Sequence, residues 1–130
     1  MTKPRRNPLP TQAQARELLK FTASLEPLPK VLLEMDSNGV PIYEDWFLEF
    51  IKLASQDCFT HWEYSFDAAD ALLIDVRQLD WLDFETWSLV WTRVVRSERF
   101  IEGSWNQFSR SGVFARLLWR LEVLIPSLND

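Results

Sequence analysis

The sequence predicts a mainly α (α+β) fold: a compact bundle of about five to six helices with one small β-hairpin near residues 31–43. Three observations carry that expectation. Apolar residues recur at helical spacing through most of the chain. Glycine is scarce, at three residues, and the one Asn-Gly pair, Asn38-Gly39, lies between two short β-prone runs. At 130 residues, 47% hydrophobic and 25% charged, the chain has the size and composition of one globular domain.

The elements follow in order. Residues 1–10 are basic and proline-rich and read as a flexible arm, leaving residues 11–130 as a single helical domain. Thr11 is placed to cap a first helix running to Leu25, with Ala15, Leu18, Leu19, Thr22 and Leu25 as its stripe and Pro27 beyond its end. Val31–Met35 and Val40–Tyr43 form the hairpin arms, with Asn38-Gly39 supplying the positive-φ positions of the reversal and Pro41 marking an edge strand. A second helix spans Glu44 or Asp45 to Gln56, an aromatic connector covers Phe59 to Tyr64, and a third helix runs from Phe66 to Asp75.

The longest helix is predicted from its Asp83 cap to Phe100, with Phe84, Trp87, Val90, Trp91, Val94 and Val95 on one arc and Gly103 as the stop. A short helix from Ser104 to Ser111 and a final one from Val113 to Ile125 complete the bundle. Seven tryptophans and nine phenylalanines either fill the core or await a partner, and their helical spacing favours the core.

Charge is unevenly laid out. The net charge is −5, yet residues 31–92 alone carry a balance of −11, between termini that are both positive. That balance argues against nucleic acid as a partner, even with Lys3, Arg5, Arg6 and the C-terminal arginines available. No apolar run approaches the ~20 residues that cross a bilayer. A single cysteine leaves no internal disulfide, so the expected address is the cytoplasm.

Catalytic signatures are sparse. Three glycines make no phosphate loop, and one histidine with one cysteine makes no closed zinc site, so no cofactor or metal is expected. Cys58 and His61 are three apart and could form a thiolate–imidazole pair, although a buried, inert thiol is the plainer reading. Glu98 is the informative exception. It falls within the apolar arc of the predicted long helix, and a carboxylate turned inward needs a partner. The expected partner of Glu98, and of Glu102, is an arginine: Arg116 or Arg120 from the last helix, or Arg96. Arg96, Glu98, Arg99, Glu102, Arg116 and Arg120 therefore form the candidate polar cluster.

The segment Val95-Arg96-Ser97-Glu98-Arg99-Phe100-Ile101-Glu102-Gly103 resembles the pattern V-R-x-[DE]-R-F-x-[ED]-G of the bacterial and phage family catalogued as domain of unknown function 6508. Gly112 followed by Arg120-Leu121 is similar to that family's closing G…L-x-R-L, and the resemblance extends over about residues 16–125. Ser104 departs from it where a histidine is common, and Val90-Trp91-Thr92 replaces a leucine-threonine pair. The resemblance implies a compact helical domain in which Arg96, Glu98, Arg99, Phe100, Glu102 and Gly103 are special, and it implies no activity.

Two functions follow from these residues. The first is a non-catalytic protein–protein interaction or regulatory module, binding a protein partner or forming a homo-oligomer through its surplus aromatics. The alternative is an anion-binding or catalytic pocket built from Arg96, Glu98, Arg99 and Glu102.

Overall fold

The computed structural model describes residues 8–26, 29–61 and 66–130. The expected arm lies outside those residues for positions 1–7, as does the expected connector for positions 62–65; at the arm's end Pro10 is buried. Among the described residues the chain forms six α-helices, several 3-10 turns and one two-stranded sheet. None of these helices is long and apolar enough to cross a membrane.

Helix α1 is Gln12–Leu19, opened by a reciprocal cap in which Thr11 Oγ1 accepts from Gln14 N–H and Gln14 Oε1 accepts from Thr11 N–H. The predicted single helix to Leu25 breaks here, and Thr22–Leu25 continue as a 3-10 turn that buries Leu25. Gln12 N–H donates to Asn129 C=O, joining the start of α1 to the end of the chain.

Strands β1 (Leu32–Met35) and β2 (Pro41–Tyr43) pair antiparallel, with an irregularity between Leu32 and Glu34. The reversal is not the Asn-Gly turn expected. The turn itself is Ser37-Asn38, and of this stretch only Gly39, just after it, has positive φ (+77°); Gly39 N–H donates to Asp36 C=O, and the Asp36 carboxylate holds the turn by accepting from the N–H groups of Asn38 and Val40.

The core lies between α2 (Asp45–Ala54), α4 (Phe84–Val95) and α6 (Val113–Leu124). Phe47, Phe50, Trp87, Trp91 and Phe114 are fully buried. Trp87 and Trp91 stack with ring centroids 4.9 Å apart, and Phe50 and Phe114 each meet Trp91 edge-on. Their polar ends are satisfied: Trp87 Nε1–H donates to Leu117 C=O at 2.8 Å, and Trp91 Nε1–H to Ala54 C=O at 3.0 Å. Ala54 is the last residue of α2, so the second bond also covers a carbonyl that helix geometry leaves open.

Helix α3 (Phe66–Leu73) is tied to α4 by an Arg93–Asp70 ion pair at 3.0 Å. Residues Val76–Trp81 then form a 3-10 segment that sequence periodicity does not reveal, capped by Asp75. Asp83 caps α4 as expected, its Oδ1 accepting from Thr86 N–H.

The predicted long helix ends at Val95 and not at Phe100; Ser97–Arg99 turn as a 3-10 element. Gly103 is indeed a break, at φ +87°, but it stands directly before α5 (Ser104–Arg110) and so sets up that helix's start.

Candidate functional site

The turn after α4 decides where the polar cluster goes. Had the helix continued, Glu98 would have faced α6. Because the chain swings away at Arg96, the Glu98 carboxylate lands between β2 and the N-terminal end of α5. There Oε1 accepts from the Tyr43 hydroxyl (2.8 Å) and from Trp105 N–H (3.0 Å), while Oε2 accepts from Gly103 N–H (2.7 Å). Helix starts expose N–H groups that lack partners within the helix, and a carboxylate is their strongest acceptor. Trp105 also donates its indole N–H to Val95 C=O at 2.8 Å, closing the end of α4. Glu98 thus joins the hairpin, α4 and α5 at one point.

The expected arginine partners from α6 are elsewhere. Arg120 Nε donates to Leu82 C=O at 2.7 Å, and Arg116 Nε lies 3.7 Å from Asp80 Oδ1. Both therefore face the 3-10 segment before α4 and its last carbonyl, away from Glu98. Glu102 is exposed.

Arg96, Glu98 and Arg99 do line a common cleft of about 330 Å³, together with Ser55, Val95 and Trp105. Ser55 and Val95 mark the carbonyl ends of α2 and α4. Positive side chains are favourable at such ends, which gives the two arginines a local electrostatic role. A second cleft of about 290 Å³ involves Arg116, lying between α6 and the 3-10 turn after α1. The candidate cluster is therefore dispersed: Arg96, Glu98 and Arg99 line one cleft, Arg116 the other, and Glu102 and Arg120 neither.

The surroundings of Cys58 suit an inert thiol. Cys58 is buried, and burial pushes its thiol up to about 11. His61 Nε2 lies 2.9 Å from Glu85 Oε1, and its backbone N–H donates to Thr92 Oγ1 at 2.7 Å, so the residue anchors the connector to α4. No group of three or more metal-binding side chains occurs among the described residues.

A measurable consequence follows for alkaline pH. The folded Cys58 thiol keeps its proton above its ordinary value of 9.0, where the unfolded chain releases it. Its contribution to stability is therefore full below pH 9 and declines as pH rises towards 11. The Tyr43 phenol, raised above 10.0 by burial and then by its bond to Glu98, adds a loss of the same sign at higher pH. We expect the urea midpoint to fall between pH 9 and 11 and Cys58→Ala to flatten the early part of that fall. A thiol reagent at pH 8 should label Cys58 far more slowly in the native chain than in urea. Equal rates would contradict the assignment.

The aromatic surplus divides. Trp87 and Trp91 are core, whereas Trp81 is 82% exposed and Trp119 46% exposed. Ile74, near Trp81 in sequence, is 85% exposed, and Val123, one turn beyond Trp119 on α6, is exposed as well. The 3-10 segment that carries Trp81 packs against α6. The hairpin shows Leu33, Met35, Val40 and Ile42 to solvent, flanked by Glu34 and Asp36.

A family model described as a family of unknown function (DUF6508) matches residues 35–127. No curated protein and no solved structure matches the chain. The matched span takes in the hairpin turn, Tyr43, Glu98 with both backbone donors, and Arg96, Arg99 and Arg116, and the chain belongs to this family of unknown function.

Proposed function

We propose that this domain is a non-catalytic protein-contact module and that its first partner is a second copy of itself. The observation that carries the reading is Trp81, a tryptophan at the end of the 3-10 segment whose surface is 82% open to solvent. Tryptophan is rarely placed so without a use, and it is among the residues that dominate protein contacts. Its surroundings fit a two-fold contact. The same stretch holds an exposed Asp75–Arg77 pair at 3.0 Å and Asp80 beside Arg116, so both signs of charge surround the apolar residues. A patch that must meet its own image needs that balance. The apolar hairpin surface is flanked by Glu34 and Asp36, while Lys30 at its base is already paired with Glu44, so two copies meeting there would bring like charges together.

A second reading, an anion site, is favoured by Arg96 and Arg99 lining one cleft. It is the weaker of the two, because the Glu98 carboxylate and two helix carbonyl ends share that cleft and offset the positive charge.

Sedimentation equilibrium of the full chain tests the first reading. We expect reversible dimers, with Trp81→Ala weakening them by about 2 kcal/mol, roughly thirtyfold, and leaving the thermal midpoint of the monomer unchanged. A chain that stays monomeric up to about 1 mM, or dimers indifferent to Trp81, would remove the self-association reading.

A further inference from the structure

The second cleft carries an inference of its own. Its walls are the apolar side chains of Leu25, Val76, Ala115 and Trp119, and its polar groups include Arg116 and Glu26. Arg116 is held loosely there. Its Nε is 3.7 Å from Asp80 Oδ1, beyond ordinary hydrogen-bond reach, and its Nη1 is covered and has no acceptor among the described residues. A covered N–H without an acceptor makes the resting rotamer costly, so a swing of the guanidinium into the cleft is favoured once an acceptor is there.

The charges select that acceptor. Arg116 contributes one positive charge, while Asp80 beside it and Glu26 in the wall contribute two negative ones. A carboxylate or phosphate entering this cleft meets net repulsion, whereas a neutral carbonyl does not. Glu26 Oε1 already accepts the indole N–H of Trp119, which leaves its other oxygen able to accept an N–H from a ligand. At about 290 Å³ the cleft stands at the small end of ligand pockets, the size of one capped residue.

We propose that this cleft binds an uncharged amide carried on a compact aliphatic body, with Arg116 donating to the amide carbonyl and Glu26 accepting from the amide N–H. The apolar body rests against Leu25, Val76 and the Trp119 ring. The cleft shares Arg116 and Asp80 with the surroundings of the proposed dimer contact, so the titration is run on the unaltered chain and on Trp81→Ala, which keeps the cleft and weakens the dimer.

The test is a two-dimensional NMR titration of the full chain with N-acetyl-L-leucinamide and, separately, N-acetyl-L-leucine, which has the same body and a carboxylate. The expected result is a saturable shift of the Trp119 indole N–H and the Ala115 amide with the amide probe. Affinity for the carboxylate should be lower by about tenfold or more. Arg116→Met keeps the aliphatic stem, removes the donor and should weaken the amide probe about tenfold. The two-probe comparison on the unaltered chain stands even if that variant folds poorly. Absence of saturable shifts, equal or tighter binding of the carboxylate, or an unchanged affinity in Arg116→Met would each overturn the proposal. A capped tripeptide centred on leucine separates the two sources of such an amide. Tighter binding than the single residue supports the site as one for a protein segment, and equal binding supports it as one for a small free amide.

Discussion

Trp91→Ala is expected to cost about 4 kcal/mol or more, enough to bring the domain close to unfolding at room temperature. Trp91 is fully buried at the meeting point of α2, α4 and α6, in ring contact with Phe50, Trp87 and Phe114. Truncation to a methyl opens a cavity that three other rings border, and rings relax poorly into voids because their rotamers are few. It also strips Ala54 C=O of its indole donor. Trp91→Phe separates the two effects. It preserves most of the aromatic body, loses the N–H and leaves only a small residual cavity, for an expected cost of about 2 kcal/mol. Urea unfolding followed by near-ultraviolet dichroism reads both. If the alanine and phenylalanine variants have the same midpoint, cavity formation is not what Trp91 prevents, and the placement of this ring at the centre of the core is wrong.

Glu98→Ala should be the most damaging change outside the aromatic core, at about 3 kcal/mol and a fall of about 10 °C in Tm. Three donors converge on that carboxylate, two of them backbone N–H groups at the start of α5 for which no other acceptor occurs among the described residues. Glu98→Gln keeps the shape but turns an NH₂ towards N–H groups, so it should recover less than half of the loss. Tyr43→Phe removes one donor and should cost about 1 kcal/mol. The Tyr43/Glu98 double variant should be less destabilised than the sum of the two single variants, because each has already lost the shared bond. Additive losses would mean that the phenol and the carboxylate act independently. A loss under about 1 kcal/mol for Glu98→Ala would mean that α5 starts without its help.

Much of the fold is legible in the residues. Thr11 and Asp83 mark helix starts because a short oxygen-bearing side chain before an apolar periodic stretch has little else to do. The arcs containing Trp87 and Trp91, and Leu117 and Leu121, are core because their spacing leaves no other buried face. Glu98 stands out for the same reason, as a charge in an apolar arc. Its partners are less legible. A helix continued through Phe100 would turn it towards the arginines of α6, and nothing local in Arg96-Ser97-Glu98 announces the switch to a tighter turn. That switch is driven by distant groups: the Trp105 indole takes the Val95 carbonyl, and Tyr43 arrives from a strand 55 positions earlier. The 3-10 segment Val76–Trp81 is hidden from periodicity likewise, because three residues per turn imitates neither a helix nor a strand. Trp81 has no sequence signal that distinguishes it from its buried counterparts; only packing separates them.

Indole groups from other helices close the C-terminal ends of two helices, Trp91 over Ala54 and Trp105 over Val95. Loosening either last turn also frees an indole that is seated in the common interior (Trp91) or packed against it (Trp105). The ordinary route by which small helical proteins come apart, unravelling from the tips inwards, is closed at both places. Hydrogen exchange at the last turns of α2 and α4 should therefore track that of the core and not run ahead of it.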